Sequence, residues 1–233
     1  MGVAPAPFSM SLLTELSESP AQIVSILDQT NVDPVSSRED ISRLCSSANS
    51  YGFFSVVVVP YHVNLARELL DDQVRLGTVI GFPYGVQTTR AKMVETQAVL
   101  DAVDEIDMVM NRTAFRNGDH EFVVDDIRRV KEAAPETVVK CIIESPALGD
   151  DEIAAAARLV EEAGADFVKT AVGYDGPTSP REIRLIREAV GEGIGIKASG
   201  GIATFEEALE MVDAGATRIG TSSGIEIVES IPE

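Results

Sequence analysis

Five lysines serve a chain of 233 residues that uses arginine fourteen times. Two of the five stand where hydrophobic strand runs stop, Lys169 in Asp166-Phe167-Val168-Lys169-Thr170 and Lys197 in Gly195-Ile196-Lys197-Ala198-Ser199-Gly200-Gly201. A lysine amine can lose its proton and attack a carbonyl carbon, whereas a guanidinium stays charged. A lysine kept at a strand terminus, in a chain that otherwise prefers arginine, points to amine chemistry. Three further charges interrupt apolar runs: Asp28 in Ile26-Leu27-Asp28-Gln29-Thr30, Asp107 in Glu105-Ile106-Asp107-Met108-Val109, and Lys140 in Val138-Val139-Lys140-Cys141-Ile142. Parallel strands covered on both faces read as nearly continuous apolar runs, so each such charge needs a partner or a task. For any single one, a structural ion pair or a wet strand end is an equal reading. The set of acids and amines together points to a site in which they neutralise one another.

A second signal follows the last two strand runs. Gly200-Gly201 precedes a helix start, and Gly220-Thr221-Ser222-Ser223-Gly224 opens the final helical stretch. Small residues let backbone N–H groups approach an anion, and helix N-termini favour negative charge, so these turns are where a phosphate would sit. The remaining polar residues carry less. His62 and His120 have no second histidine at ligand spacing, which gives zinc chemistry no support. Met93, Met108, Met110 and Met211 fall on apolar faces as core filler. Asp71-Asp72, Asp125-Asp126 and Asp150-Asp151 are expected in solvated turns or helix starts, and Lys92 and Lys131 on exposed helix faces.

The elements that must position these groups alternate along the chain. Short β-branched runs are expected as strands at 25–29, 53–59, 75–82, 105–110, 137–144, 166–170, 194–197 and 218–221, with helices at 38–50, 89–102, 122–134, 150–163, 180–190 and 205–214. Ser37, Asp150, Ser179 and Thr204 are the expected N-caps, and Gly164 and Gly215 stand where helices must stop. Eight βα units with no long spare segment predict one α/β domain, a closed (β/α)8 barrel over residues 21–233 behind a lead segment of 1–20, rather than a doubly wound open sheet. In a barrel, functional side chains gather at the C-terminal ends of the strands.

Composition narrows the partners. Thirty-eight acidic against nineteen basic residues give a net charge of −19, which opposes nucleic acid and anionic membrane. An acid-rich, lysine-poor surface suits a cytoplasm of high salt, where screening removes self-repulsion. Cys45 and Cys141 form no paired motif and are expected as buried apolar groups. The opening twenty residues lack a basic region and an unbroken apolar stretch, and no run is long enough to span a membrane, so a soluble, cytoplasmic protein is expected.

With these residues in place, the chain resembles the deoxyribose-phosphate aldolases, class I aldolases on a (β/α)8 barrel, from about Ile26 to Ile227. The resemblance is carried by Asp104-Glu105-Ile106-Asp107-Met108-Val109-Met110-Asn111, by Ala163-Gly164-Ala165-Asp166-Phe167-Val168-Lys169-Thr170, and by Lys197-Ala198-Ser199-Gly200-Gly201-Ile202. Val79-Ile80-Gly81-Phe82-Pro83 and the segment from Ala214 to Gly224 add to it. It implies that Lys169 forms the Schiff base, that Lys197 favours its free amine, and that Asp107 relays protons. Asp28, Lys140 and Thr170 would orient substrate or the relay, and Gly173, Gly200, Gly201, Ser222 and Ser223 would hold the phosphate. The resemblance further implies a sugar phosphate and an aldehyde as the small-molecule partners, no metal or organic cofactor, and a homo-oligomer by analogy.

The chain departs from the family pattern in places. Thr170-Ala171-Val172-Gly173 stands where Thr-Ser-Thr-Gly is usual, Ala203 replaces an arginine near the phosphate, and Val57 and Val59 replace a cysteine and an asparagine. These changes keep two other readings open: a class I aldolase for a different aldehyde acceptor, and a non-catalytic barrel that binds phosphosugars.

Overall fold

The computed structural model describes residues 10–232. Eight parallel strands close on themselves in sequence order: β1 (Leu27–Asn31), β2 (Ser55–Val58), β3 (Arg75–Ile80), β4 (Glu105–Val109), β5 (Val138–Ile142), β6 (Phe167–Lys169), β7 (Gly195–Ser199) and β8 (Arg218–Thr221). Pairing of Leu27 with Ile219 and Asp28 with Gly220 completes the ring, and the predicted (β/α)8 TIM barrel is the fold observed. The helices are α1 (Met10–Glu18), α2 (Arg38–Tyr51), α3 (Val63–Leu69), α4 (Thr89–Gln97), α5 (Arg112–Arg116), α6 (His120–Ala133), α7 (Asp150–Glu162), α8 (Pro180–Ala189), α9 (Phe205–Asp213) and α10 (Gly224–Glu229). Residues 1–9 of the lead segment lie outside the described residues, while α1 occupies its second half and carries the fully buried Leu16 into the core.

Local chemistry sets the helix ends. Ser37 and Thr204 cap α2 and α9 through reciprocal bonds with Asp40 and Glu207. Asp150 is the first helical residue of α7 rather than its cap, because Gly149 holds that place and donates its N–H to Glu152. The Ser179 hydroxyl bonds Glu182 and not the backbone. Gly164 (φ 81°) and Gly215 (φ 120°) follow α7 and α9 as expected. β1 begins two residues after its predicted start because a 3-10 turn over Pro20–Ile26 precedes it, and α4 stops at Gln97, with 98–102 in turns.

Two expectations about charge fail. Lys92 and Asp126 are both fully buried, paired at 2.5 Å, with Lys92 also donating to the Val109 carbonyl and Asp126 accepting from Thr89. The partners face each other from α4 and α6, which a reading of one helix at a time cannot reveal. Lys131 is half-buried and bonds Asp166 and the Thr137 carbonyl. Met93 is only half-buried, while Met108, Met110 and Met211 are in the core. Cys45 and Cys141 are buried, and loss of solvation pushes their thiols up to about 11 and about 12. Among the described residues, no helix is long and apolar enough to cross a membrane.

Candidate active site

Strand alternation selects which side chains enter the barrel. Glu105 and Asp107 share one face of β4, as Phe167 and Lys169 do on β6. Register then sets neighbours side by side: Asp107 beside Lys140, Lys169 beside Lys197, and Lys197 beside Arg218. Arg218 opens β8, and its guanidinium lies 3.6 Å from the centre of the Phe54 ring and 5.5 Å from that of Phe167. Gly220 is what admits Lys197 here, since a Cβ on it would lie 2.7 Å from the lysine Cε.

Asp107 is the hub. Its Oδ2 receives Lys169 and Lys197 at 2.8 Å each, and its Oδ1 receives Lys140 at 2.8 Å. Lys140 also meets Glu105 at 2.6 Å, and Lys197 meets Asp28 at 2.5 Å. Arg218 joins Asp28 (3.0 Å) to Glu105 (3.1 Å). Four cations thus share three carboxylates, all nearly or fully buried. Lys140 and Lys197 each have one carboxylate besides the shared Asp107; Lys169 has only Asp107. The surplus positive charge is therefore relieved at least cost by loss of the Lys169 proton.

The electrostatics follow this count. Burial pushes the Lys169 ammonium down to about 8; Asp107 opposes that shift, and Lys197 and Lys140 reinforce it. The second ammonium expected to free the Lys169 amine is in place, but desolvation is the larger cause. Burial alone would raise the Asp107 carboxyl, yet Lys140, Lys169 and Lys197 hold it well below the usual range. Asp28 is likewise held down against its burial by Lys197, Arg218 and Lys140.

A cavity of about 730 Å³ opens above the cluster, between the loops after β1, β3, β6, β7 and β8. Of the seven charged groups below, only Lys169 reaches its wall. Gly173, Gly200, Gly201, Ser222 and Ser223 line it as well. Asp28, Asp107, Lys140, Lys197 and Thr170 stand behind the wall. Thr170 is tied up there: its hydroxyl bonds the Ser199 carbonyl and N–H and the Thr178 hydroxyl. These five are placed to support Lys169 rather than to touch what enters the cavity.

Sequence reasoning passed over three residues. Glu105 and Arg218 are charges in strands and satisfy the rule that singled out Asp28 and Asp107, but their places at strand starts disguised them. Glu144, just beyond β5, is fully buried with a left-handed backbone (φ 57°) and accepts the Val172 N–H at 2.8 Å. It thereby holds the loop that follows Lys169, and burial pushes its carboxyl up. No period or spacing announces a backbone bond across two loops.

The model of the DeoC/LacD family aldolases matches residues 22–230. A deoxyribose-phosphate aldolase of Thermococcus kodakarensis is 46% identical over 219 residues, covering 91% of this chain and 98% of that relative. One from Exiguobacterium sibiricum is 50% identical over 210 residues, covering 88% and 95%. A solved deoxyribose phosphate aldolase from Aeropyrum pernix, described as a unique tetramer, superposes with a TM-score of 0.83 at 34% identity and covers 95% of this chain and 97% of its own.

Proposed function

The chain belongs to the DeoC/LacD family of aldolases and is a carbon–carbon lyase, and from that premise we propose that Lys169 is its Schiff-base nucleophile. The reaction is the reversible cleavage of 2-deoxy-D-ribose 5-phosphate to D-glyceraldehyde 3-phosphate and acetaldehyde, the substrate class named for the relatives. The observation that carries the role of Lys169 is its position: among the described residues it is the one amine on the cavity wall, and it is the least well neutralised of the four cations.

The free amine adds to the C1 aldehyde of the open-chain sugar, and the carbinolamine loses water to give an iminium. That iminium is the electron sink. The C3 hydroxyl gives up its proton, through water, to Asp107; the C2–C3 bond breaks, glyceraldehyde 3-phosphate leaves, and an enamine of acetaldehyde remains on Lys169. Protonation at carbon and hydrolysis release acetaldehyde and restore the amine. Asp107, 2.8 Å from the Lys169 nitrogen, exchanges protons with that nitrogen as water leaves and returns. Lys197 and Lys140 keep Asp107 ionised and the Lys169 amine unprotonated. Asp28 and Glu105 hold those two lysines in register, and Thr170 anchors the loop to which Gly173 belongs. Gly173, Gly200, Gly201, Ser222 and Ser223 face the phosphate.

Incubation with acetaldehyde and borohydride, followed by peptide mapping, is expected to yield one reduced adduct, on Lys169. Lys169→Ala and Lys169→Arg are both expected to abolish cleavage. A barrel that only binds phosphosugars would keep binding in Lys169→Arg, since arginine neutralises phosphate as well as lysine does; no adduct on a folded sample would establish that alternative. We assign residues 21–233 to one catalytic barrel domain behind a lead of residues 1–20, active in the cytoplasm, where phosphate esters are retained. Following the Aeropyrum pernix relative, we expect a homo-oligomer, which light scattering on the eluted protein will count.

A further inference from the structure

At the end of the cavity away from Lys169, a dianion would be held by the glycine and serine loops after β6, β7 and β8, without a cation. Among the described residues, Lys169 is the one on its wall with a basic side chain. The backbone donors that could stand in are partly committed. The Ala203 and Thr204 N–H groups at the start of α9 both donate to the Glu207 carboxylate, at 2.8 and 3.0 Å. The Ser223 N–H bonds Thr221 Oγ1, and the Gly224 N–H bonds Gln29 Oε1. Helix α9 thus meets the cavity with its first donors already neutralised by an acid of its own.

The wall also carries a negative charge. Asp33, in the loop after β1, lines the cavity. Its Oδ1 accepts the Val35 N–H at 3.0 Å, and its own N–H donates to Asn31 Oδ1 at 3.2 Å, so the turn fixes the carboxylate in place. Its field reaches the opposite rim: the Tyr174 phenol, after β6, is raised first by burial and then by Asp33. With Lys169 deprotonated for attack, the buried cluster below holds three cations and three anions. Asp33 then leaves the site as a whole negative. Ala171, Val172, Ile202 and Ala203 contribute uncharged surface to the same wall.

We infer that Asp33 is a specificity-determining residue that holds down the preference of this site for a phosphorylated over an unphosphorylated aldose, so that neutral 2-deoxy sugars are genuine substrates. The inference rests on the aldolase reading above and names its substrate range. Repulsion in water between one carboxylate and a phosphate dianion about a Debye length away weakens binding severalfold, and less as salt screens it.

The test compares kcat/KM for 2-deoxyribose 5-phosphate and for 2-deoxyribose in the wild type, Asp33→Asn and Asp33→Lys, over a KCl series in which circular dichroism reports a folded chain. Asp33→Asn keeps the Oδ1 acceptor that holds the turn. It is expected to raise the ratio of phosphorylated to unphosphorylated kcat/KM severalfold at the lowest salt, through KM rather than kcat. Asp33→Lys should raise that ratio further, and both gains should shrink towards unity as KCl rises. A ratio that stays within twofold of the wild type at every salt concentration overturns the inference, as does an equal change for both substrates. Cleavage of the phosphorylated sugar with no response to Asp33 leaves the aldolase assignment standing; absence of any cleavage by the wild type removes both.

Discussion

At the scale of single residues, the chemistry turns on one carboxylate serving three amines. Because the Lys169 ammonium is pushed down to about 8, its free amine grows about tenfold per pH unit below that value and then levels off. The rate of trapping by acetaldehyde and borohydride should therefore rise about tenfold from pH 6 to pH 7 and flatten above pH 8. Asp107→Asn removes the charge that keeps the proton on Lys169, so the inflection should move to lower pH. Turnover should meanwhile fall by about 10²–10⁴, because the proposed proton relay is lost. An inflection that moves upward would contradict the assignment of Asp107 as the hub. Asp28 and Asp107 also carry a stability signature. Their folded values lie below the 3.8 of the unfolded chain, so their contribution is complete above pH 3.8 and is lost as pH falls through the folded values. Acid unfolding monitored by circular dichroism should begin below that point. Five members of this constellation were legible in the sequence because a charge inside an apolar run is a visible anomaly. Glu144 and Asp33 were not: one ends a run, the other sits in a polar loop, and their importance lies in what faces them across the barrel mouth.

At the scale of elements, the alternation of β-branched runs and amphipathic stretches was enough to order all eight strands, because each strand is buried on both faces and each helix on one. Boundaries were less legible where a 3-10 turn continues the apolar pattern of a strand, as before Leu27, or where turns continue a helical one, as after Gln97. The pair of Lys92 and Asp126 was invisible, since its members are 34 residues apart and each looks like an ordinary helix residue. It ties α4 to α6 and, through the Val109 carbonyl, to the end of β4. Removing one partner leaves an uncompensated buried charge, so Lys92→Ala or Asp126→Ala should each cost about 3–5 kcal/mol in urea unfolding. Joint replacement by Lys92→Met and Asp126→Leu should recover most of that loss. If the double variant is as unstable as either single one, the pair does more than neutralise itself.

At the scale of the whole molecule, a net charge of −19 on 233 residues sets a field that the folded chain must tolerate. The buried cluster adds little to it, since its charges nearly cancel. The excess lies on exposed side chains, among them Asp72, Glu188, Glu192, Glu206 and Glu210, and self-repulsion among such groups falls when salt shortens the Debye length from about 10 Å at 0.1 M to about 3 Å at 1 M. We therefore expect the melting temperature to climb as KCl is raised from 0.1 to 2 M, by about 2–4 °C for each kcal/mol of repulsion relieved. Salt could also stabilise any protein by strengthening apolar burial, which acts regardless of charge. Asp72→Asn combined with Glu188→Gln, Glu206→Gln and Glu210→Gln separates the two causes. Four acids fewer take the net charge from −19 to −15 without touching a buried group. If repulsion governs, this variant melts higher than the parent at low KCl and gains less from added salt, so the two curves converge. Parallel curves would place the effect in apolar burial and deprive the acidic surface of any part in salt tolerance.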